Sequence, residues 1–184
     1  TVGSQPFRHA CGVVDKEVVA KEVGVQSDIN KENLTSLTAY DPASDKKEVD
    51  LIKETSSNAI YSSCSLKLDR LESGTGQDKR NSFISVTVSI GQYKDDTTAK
   101  EAFKNDKATK PDAKSLPDFA DTSLYSAPKA AFNTRLLSIT PTVLHKNMLI
   151  TVNMATDEEN DPSGQNTAGR INTIVKDIVS RINK

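Results

Sequence analysis

The sequence predicts an α+β domain: a single antiparallel sheet with helices packed on it, in the order helix, hairpin, helix, hairpin, helix. Three observations carry this reading. Two stretches, Ile60 to Leu68 and Phe83 to Ile90, alternate apolar and polar residues. A second alternating pair follows, with Leu137 and Ile139 in one stretch and Met148, Ile150, Val152 and Met154 in the other. Near the C-terminus the apolar residues recur instead at three and four positions, through Ala168, Ile171, Ile174, Val175, Ile178 and Ile182. Alternation with one polar face marks an antiparallel sheet covered on one side, and the longer period marks a helix lying on it. Strands grouped in runs between helices argue against a parallel α/β fold. A chain of 184 residues is long enough for one domain with its own core. We expect residues 1–10 to be a flexible N-terminal segment and 11–184 the single α+β domain.

Each element has a local signature. Asp15 can cap a first helix over Lys16 to Val23, with Val14 and Val19 as its hydrophobic staple and Gly24 as its stop. Residues Ser27 to Thr55 are polar and broken by Asp41-Pro42-Ala43-Ser44, which predicts a loop with one or two short edge strands. In the first hairpin Ile60, Cys64, Leu66 and Leu68 share a face, opposite Tyr61, Ser63, Ser65 and Lys67. Its second strand sets Ile84, Val86, Val88 and Ile90 against Ser85, Thr87 and Ser89, after the turn-rich segment Glu72–Asp78. Thr98 and Glu101 read as the capping box of a second helix, which Pro111 ends. Pro111 to Phe132 reads as irregular, interrupted by a short strand around Thr122 to Tyr125. The second half thus repeats the strand–strand–helix pattern of the first.

Composition narrows the function classes. The 24 basic and 25 acidic residues leave a formal net charge of −1, without the basic excess expected of a nucleic-acid binder. No apolar run approaches the roughly 20 residues that cross a bilayer. The chain begins Thr1-Val2 without an initiator Met, so we expect a removed leader or an anchor upstream. Cys11 and Cys64 lie 53 positions apart, with no CxxC and no His spacing suited to a metal. We read them as one structural disulfide, which places the domain in an oxidising compartment outside the cytoplasm. Two free buried thiols, packed as small hydrophobes, are the alternative.

Signatures of catalysis are missing: there is no GxSxG elbow, no phosphate-cradling glycine loop and no HExxH. His9 and His145 are the only histidines, too few for a zinc site, and a disulfide would consume the thiol of a His9–Cys11 nucleophile pair. The acidic run Asp157–Asp161 lacks the alternation and central Gly of an EF-hand, and reads as a solvated loop before the last helix. We therefore assign no catalytic residue, metal or cofactor. Aromatics outside the evident core are Tyr40, Tyr61, Tyr93, Phe119, Tyr125 and Phe132; those in the Pro111–Phe132 segment either line a ligand groove or tether the segment to the sheet.

Cys-Gly-Val-Val-Asp-Lys-Glu-Val at 11–18, closing at Gly24, resembles the opening of actinobacterial envelope lipoproteins of unknown function. Tyr61-Ser-Ser-Cys64-Ser-Leu66 stands where such proteins carry their second Cys. Phe119 to Tyr125 and Met148 to Met154 are similar to the latter half of the extracellular sensor domains of mycobacterial receptor kinases. The resemblance implies a membrane-tethered outer domain with one antiparallel sheet, and no catalytic residues. The function expected is binding or sensing at the cell envelope, with a small molecule or an envelope protein as partner and contact with the membrane only through an anchor. A structural module that docks on envelope proteins by a sheet face or edge is the second reading, and an enzyme of unrecognised type the third.

Overall fold

Following Phe7, Arg8 and His9, the chain forms two short helices, α1 (Ala10–Val13) and α2 (Lys16–Val23). The computed structural model describes residues 7–23, 27–36, 59–68, 85–110, 114–131, 134–157 and 165–184. Three strands follow, β1 (Ser27–Ser36), β2 (Ala59–Leu68) and β3 (Ser85–Tyr93), and then helix α3 (Asp96–Ala108). A three-residue strand, β4 (Lys114–Leu116), leads into β5 (Phe119–Ala131), β6 (Thr134–His145) and β7 (Met148–Asp157). Helix α4 (Gln165–Ile182) ends the chain.

All the strands join one antiparallel sheet in the order β1-β2-β3-β7-β6-β5-β4. The α+β class and the single sheet agree with the sequence; the element order differs. Each expected hairpin is a run of three long strands followed by a helix, β1-β2-β3-α3 and β5-β6-β7-α4, and the two runs meet where β3 pairs with β7. The polar Ser27–Ser36 segment is a ten-residue edge strand, paired with β2 through a register shift between Ile29 and Lys31. Most of the supposedly irregular Pro111–Phe132 segment is the long strand β5. Pro128 is tolerated there because β4 pairs β5 only between Phe119 and Leu124. Beyond Leu124 no described strand pairs with this side of β5, so a missing N–H need break no ladder bond.

The inner face of the sheet buries Cys64 and Leu66 of β2, Val86, Val88 and Ile90 of β3, Ile139 and Val143 of β6, and Met148, Ile150, Val152 and Met154 of β7. Helices α1, α2 and α4 close over it, the last with Ile171, Ile174, Val175, Ile178 and Ile182. Asp15 caps α2 by accepting from the N–H of Glu17 at 2.8 Å, and Val14 and Val19 are both buried. Arg181 of α4 donates to Asp15 and to Asp177, which fastens the C-terminal helix to the capped end of α2.

Helix α3 starts from Asp95, whose Oδ1 accepts from the Thr98 N–H at 2.7 Å and from its hydroxyl at 2.8 Å. The expected Thr98–Glu101 box is thus displaced: Thr98 is the donor to a cap three residues earlier. The N-terminal boundary expected at residue 10 falls within docked structure, since Ala10 is fully buried in α1 and the Arg8 N–H donates to Gln92 Oε1 at 3.0 Å. Gly24, Asp41–Ser44, Glu72–Asp78 and the acidic run beyond Asp157 lie outside the described residues.

Candidate functional site

The pleat that turns the apolar residues of β2, β3, β6 and β7 inward turns a row of small polar residues outward. On β2 these are Tyr61, Ser63 and Ser65, whose register partners on β3 are Gly91, Ser89 and Thr87. Opposite them on β7 lie Asn153 and Thr151, since Thr87 pairs with Asn153 and Ser89 with Thr151. β6 continues the row with Ser138, Thr140 and Thr142. Tyr125 and Ser123 on β5 are the register partners of Thr140 and Thr142. Ser63, Ser65, Thr87, Ser89, Thr140, Thr151 and Asn153 are half-buried, and Ser138 and Thr142 buried. Lys67 of β2 falls on the same alternation as Ser63 and Ser65, and Lys31 of β1 is the register partner of Ser65.

The row is internally hydrogen-bonded. Ser89 Oγ donates to Ser63 Oγ at 3.3 Å, and the hydroxyls of Thr142 and Thr151 lie 3.2 Å apart. Asn153 Nδ2 donates to Thr140 Oγ1 at 2.6 Å and to Ser138 Oγ at 3.0 Å. The Asn153–Thr140 bond lies between the pairs Ile139↔Met154 and Thr142↔Thr151, across which the β6–β7 register is unchanged. A hydroxyl has one donor and two acceptor positions, so each keeps capacity for a further partner.

A tyrosine pair bounds the row. Tyr61 lies over Gly91: a Cβ at position 91 would stand 2.7 Å from Tyr61 Cε1, so only glycine accommodates the ring there. The Tyr61 hydroxyl is 3.0 Å from that of Tyr93, and the rings meet edge-on at 80° with centroids 6.2 Å apart. Tyr93 is buried beneath α3 with Ala59, Ala99, Phe103 and Leu149, so α3 covers this end of the face and leaves the hydroxyl row beyond it. Asn147 locks the same end, donating from Nδ2 to the Tyr93 carbonyl at 2.7 Å while its own carbonyl accepts from the Tyr93 N–H at 2.7 Å. Burial first, then the bond to Tyr61, pushes the Tyr93 phenol above its ordinary value and keeps it neutral. Tyr61 stays 37% exposed, and is the one exposed large hydrophobic side chain among the described residues.

The sequence-predicted residues divide between the two faces. Cys11 and Cys64 come to disulfide distance, with Cα atoms 4.9 Å apart, and tie α1 to β2 on the inner face. A neighbouring tie is the Ala10 N–H, which donates to the buried Ser62 Oγ at 2.8 Å. Among the aromatics, Tyr61 and Tyr93 come together on the open face, while Phe119 packs against the inner core as a tether. Tyr40 and Phe132 lie outside the described residues. His9 stands at the N-cap position of α1 without a side-chain cap bond, and its ring meets Phe7 edge-on; His145 bonds Asn183 at the β6–β7 turn. Alternation identified the Ser63–Ser65 and Thr87–Ser89 rows, but Thr140, Thr142, Thr151 and Asn153 were not singled out. The same period-two signal carries Thr151 and Asn153, between Ile150, Val152 and Met154.

No family model matches the chain, and no curated protein matches it. Among solved structures it is similar to the extracellular domain of PknH from Mycobacterium tuberculosis, with a TM-score of 0.60 and 12% identity, over 98% of this chain and 99% of that one. At that identity the likeness is one of fold. No helix among the described residues is long and apolar enough to cross a membrane.

Proposed function

We propose that the chain is an exported, non-catalytic binding domain whose ligand surface is the open hydroxyl face beside Tyr61. The observation that carries this reading is the division of labour between the faces of one sheet. Three helices close the inner face, while the outer one presents hydroxyls, an amide and an exposed aromatic ring. The hydrogen-bonding pattern supports binding over catalysis: Ser63 bonds Ser89, Thr142 bonds Thr151, and Ser138 and Thr140 accept from Asn153, none of them a base that would activate a hydroxyl. The Cys11–Cys64 pair and the fold shared with an extracellular domain support export.

Binding of the purified domain to the washed envelope sediment of an actinobacterial culture tests the reading. The wild type should co-sediment, and a Thr87→Lys, Asn153→Lys double variant with an unchanged fold should not. Equal sedimentation of both, or of neither, refutes the open face as the binding surface. A second reading, docking of a partner strand, draws on the ten-residue strand β1, which among the described residues pairs only with β2. It would leave the double variant fully bound.

A further inference from the structure

We infer that residues 8–11 are a strap that positions the Tyr61–Tyr93 pair from the opposite side of the sheet, and that undocking the strap loosens that pair. The coupling holds whatever the open face binds, since every contact in it lies within the chain.

Two polar side chains interrupt the apolar inner rows of β2 and β3. By the pleat, Ser62 stands with Ile60, Cys64 and Leu66, and Gln92 with Val86, Val88 and Ile90, and both are fully buried. A buried polar group is costly unless it is hydrogen-bonded. The strap supplies a bond to each: the Ala10 N–H donates to Ser62 Oγ at 2.8 Å, and the Arg8 N–H to Gln92 Oε1 at 3.0 Å. At the next residue, Cys11 is joined to Cys64. The Arg8 guanidinium donates at 3.0 Å to the Ile182 carbonyl, in the last turn of α4, where helix carbonyls lack intrahelical partners. The strap thus ties β2, β3 and α4 together.

Its two acceptors are chain neighbours of the tyrosine platform. Ser62 follows Tyr61, and Gln92 lies between Gly91, on which the Tyr61 ring rests, and Tyr93, whose hydroxyl is 3.0 Å from that of Tyr61. Successive residues of a strand point to opposite faces, so the strap grips from behind the segments that carry the rings. The pairing of β2 with β3 ends here, at Ala59↔Tyr93, and that of β3 with β7 at Gln92↔Met148. Strand ends open more readily than strand centres. The edge-on contact of the rings, with centroids 6.2 Å apart, needs both strands held in place at this end. Asn147 restrains the Tyr93 backbone, and the strap restrains β2 beside Tyr61 as well.

The test is hydrogen exchange of the isotopically labelled, oxidised domain over a series of low urea concentrations. The Arg8 and Ala10 amides report the strap, and the Tyr93 amide, which donates to the Asn147 carbonyl at 2.7 Å, reports the platform. Thr87 and Val88 report the far end of β3. In the wild type the strap and platform amides should share one urea dependence and open before Thr87 and Val88. Ala10→Pro removes the donor to Ser62 and sets a ring carbon against its Oγ, while proline suits the first position of a helix. It should speed exchange at Tyr93 about fivefold to tenfold, leave Thr87 and Val88 within about twofold, and weaken the near-ultraviolet dichroism of the tyrosines. Equal acceleration at Tyr93, Thr87 and Val88 would mark a general loss of stability and overturn the coupling. A Tyr93 amide that keeps its wild-type rate while Arg8 opens would overturn it too. If the variant does not fold, the wild-type series decides alone: separate urea dependences for Ala10 and Tyr93 overturn the strap's role.

Discussion

Removing the Cys11–Cys64 link should cost the domain a large part of its stability, and the structure sets the amount. The bond closes a loop with a sequence separation of 53. Chain-entropy arguments put the constraint that such a loop imposes on the unfolded chain at about 4 kcal/mol. Helix α1 has only four residues, so once the link is gone it is held by buried Ala10 and Val13 and by the Ala10–Ser62 bond. The appropriate variant is Cys11→Ser with Cys64→Ala: Cys11 is partly exposed and accepts a hydroxyl, whereas Cys64 is fully buried and does not. Equilibrium urea unfolding should show a loss of about 3–4 kcal/mol against the oxidised wild type. The slope of the transition should steepen, because the uncrosslinked unfolded chain exposes more surface. Wild type unfolded in reductant should behave like the variant. Identical midpoints with and without reductant, and no mass change on reduction, would refute both the link and the compartment inferred from it.

Other consequences follow from particular contacts. Ile174→Ala on the buried stripe of α4 should cost about 2–5 kcal/mol, whereas Lys176→Ala on its exposed side should change the urea midpoint little. The Glu17 N–H, aided by the Val18 N–H and Arg181, holds the Asp15 carboxyl below its ordinary value. Its contribution is therefore complete above the unfolded carboxylate's pKa of about 3.9 and is lost as pH falls through the lower folded value. Asp15→Ala should cost about 1 kcal/mol at neutral pH, and a stability profile against pH should show the wild-type advantage shrinking toward acid; an advantage that grows would contradict the cap. Gly91→Ala should displace the Tyr61 ring, since the new Cβ would lie 2.7 Å from Cε1. With no Trp in the chain, near-ultraviolet dichroism reports the tyrosines, and an unchanged spectrum would show that the ring does not rest on Gly91.

Much of this architecture was legible because burial on one side writes a period into the chain. The alternation over Ile60–Leu68 and Val86–Ile90 named the inner face of β2 and β3, and the stripe from Ala168 to Ile182 named the buried side of α4. Asp15 announced α2 by its chemistry, since a cap and a staple are local. The strands at the edges escaped for the opposite reason. β1 reads Ser-Asp-Ile-Asn-Lys-Glu-Asn-Leu-Thr-Ser, almost all polar, and β5 contains Pro128 and a run of alanines. Neither carries a regular apolar alternation. The Asp95 cap is masked in the sequence by Thr98 and Glu101, which offer an equally good local pattern three residues later. The candidate site was half visible: its residues are the polar complement of the core pattern, but only the pairing of β3 with β7 joins the two halves into one face. The tyrosine platform is a long-range product of that fold, since Tyr61 and Tyr93 are 32 positions apart.

The account rests on one claim, that the two faces of this sheet do different work, and neighbouring residues of β3 test it. Val88 is fully buried on the inner face and Ser89 half-buried on the open one. The decisive measurement is the affinity of Ser89→Lys for the envelope sediment, taken beside its urea midpoint, with Val88→Lys as the reference for disrupting the core. Ser89→Lys should keep its midpoint to within about 1 kcal/mol and lose binding, whereas Val88→Lys should be destabilised by several kcal/mol or fail to fold. A folded Ser89→Lys that binds as tightly as the wild type would contradict the account.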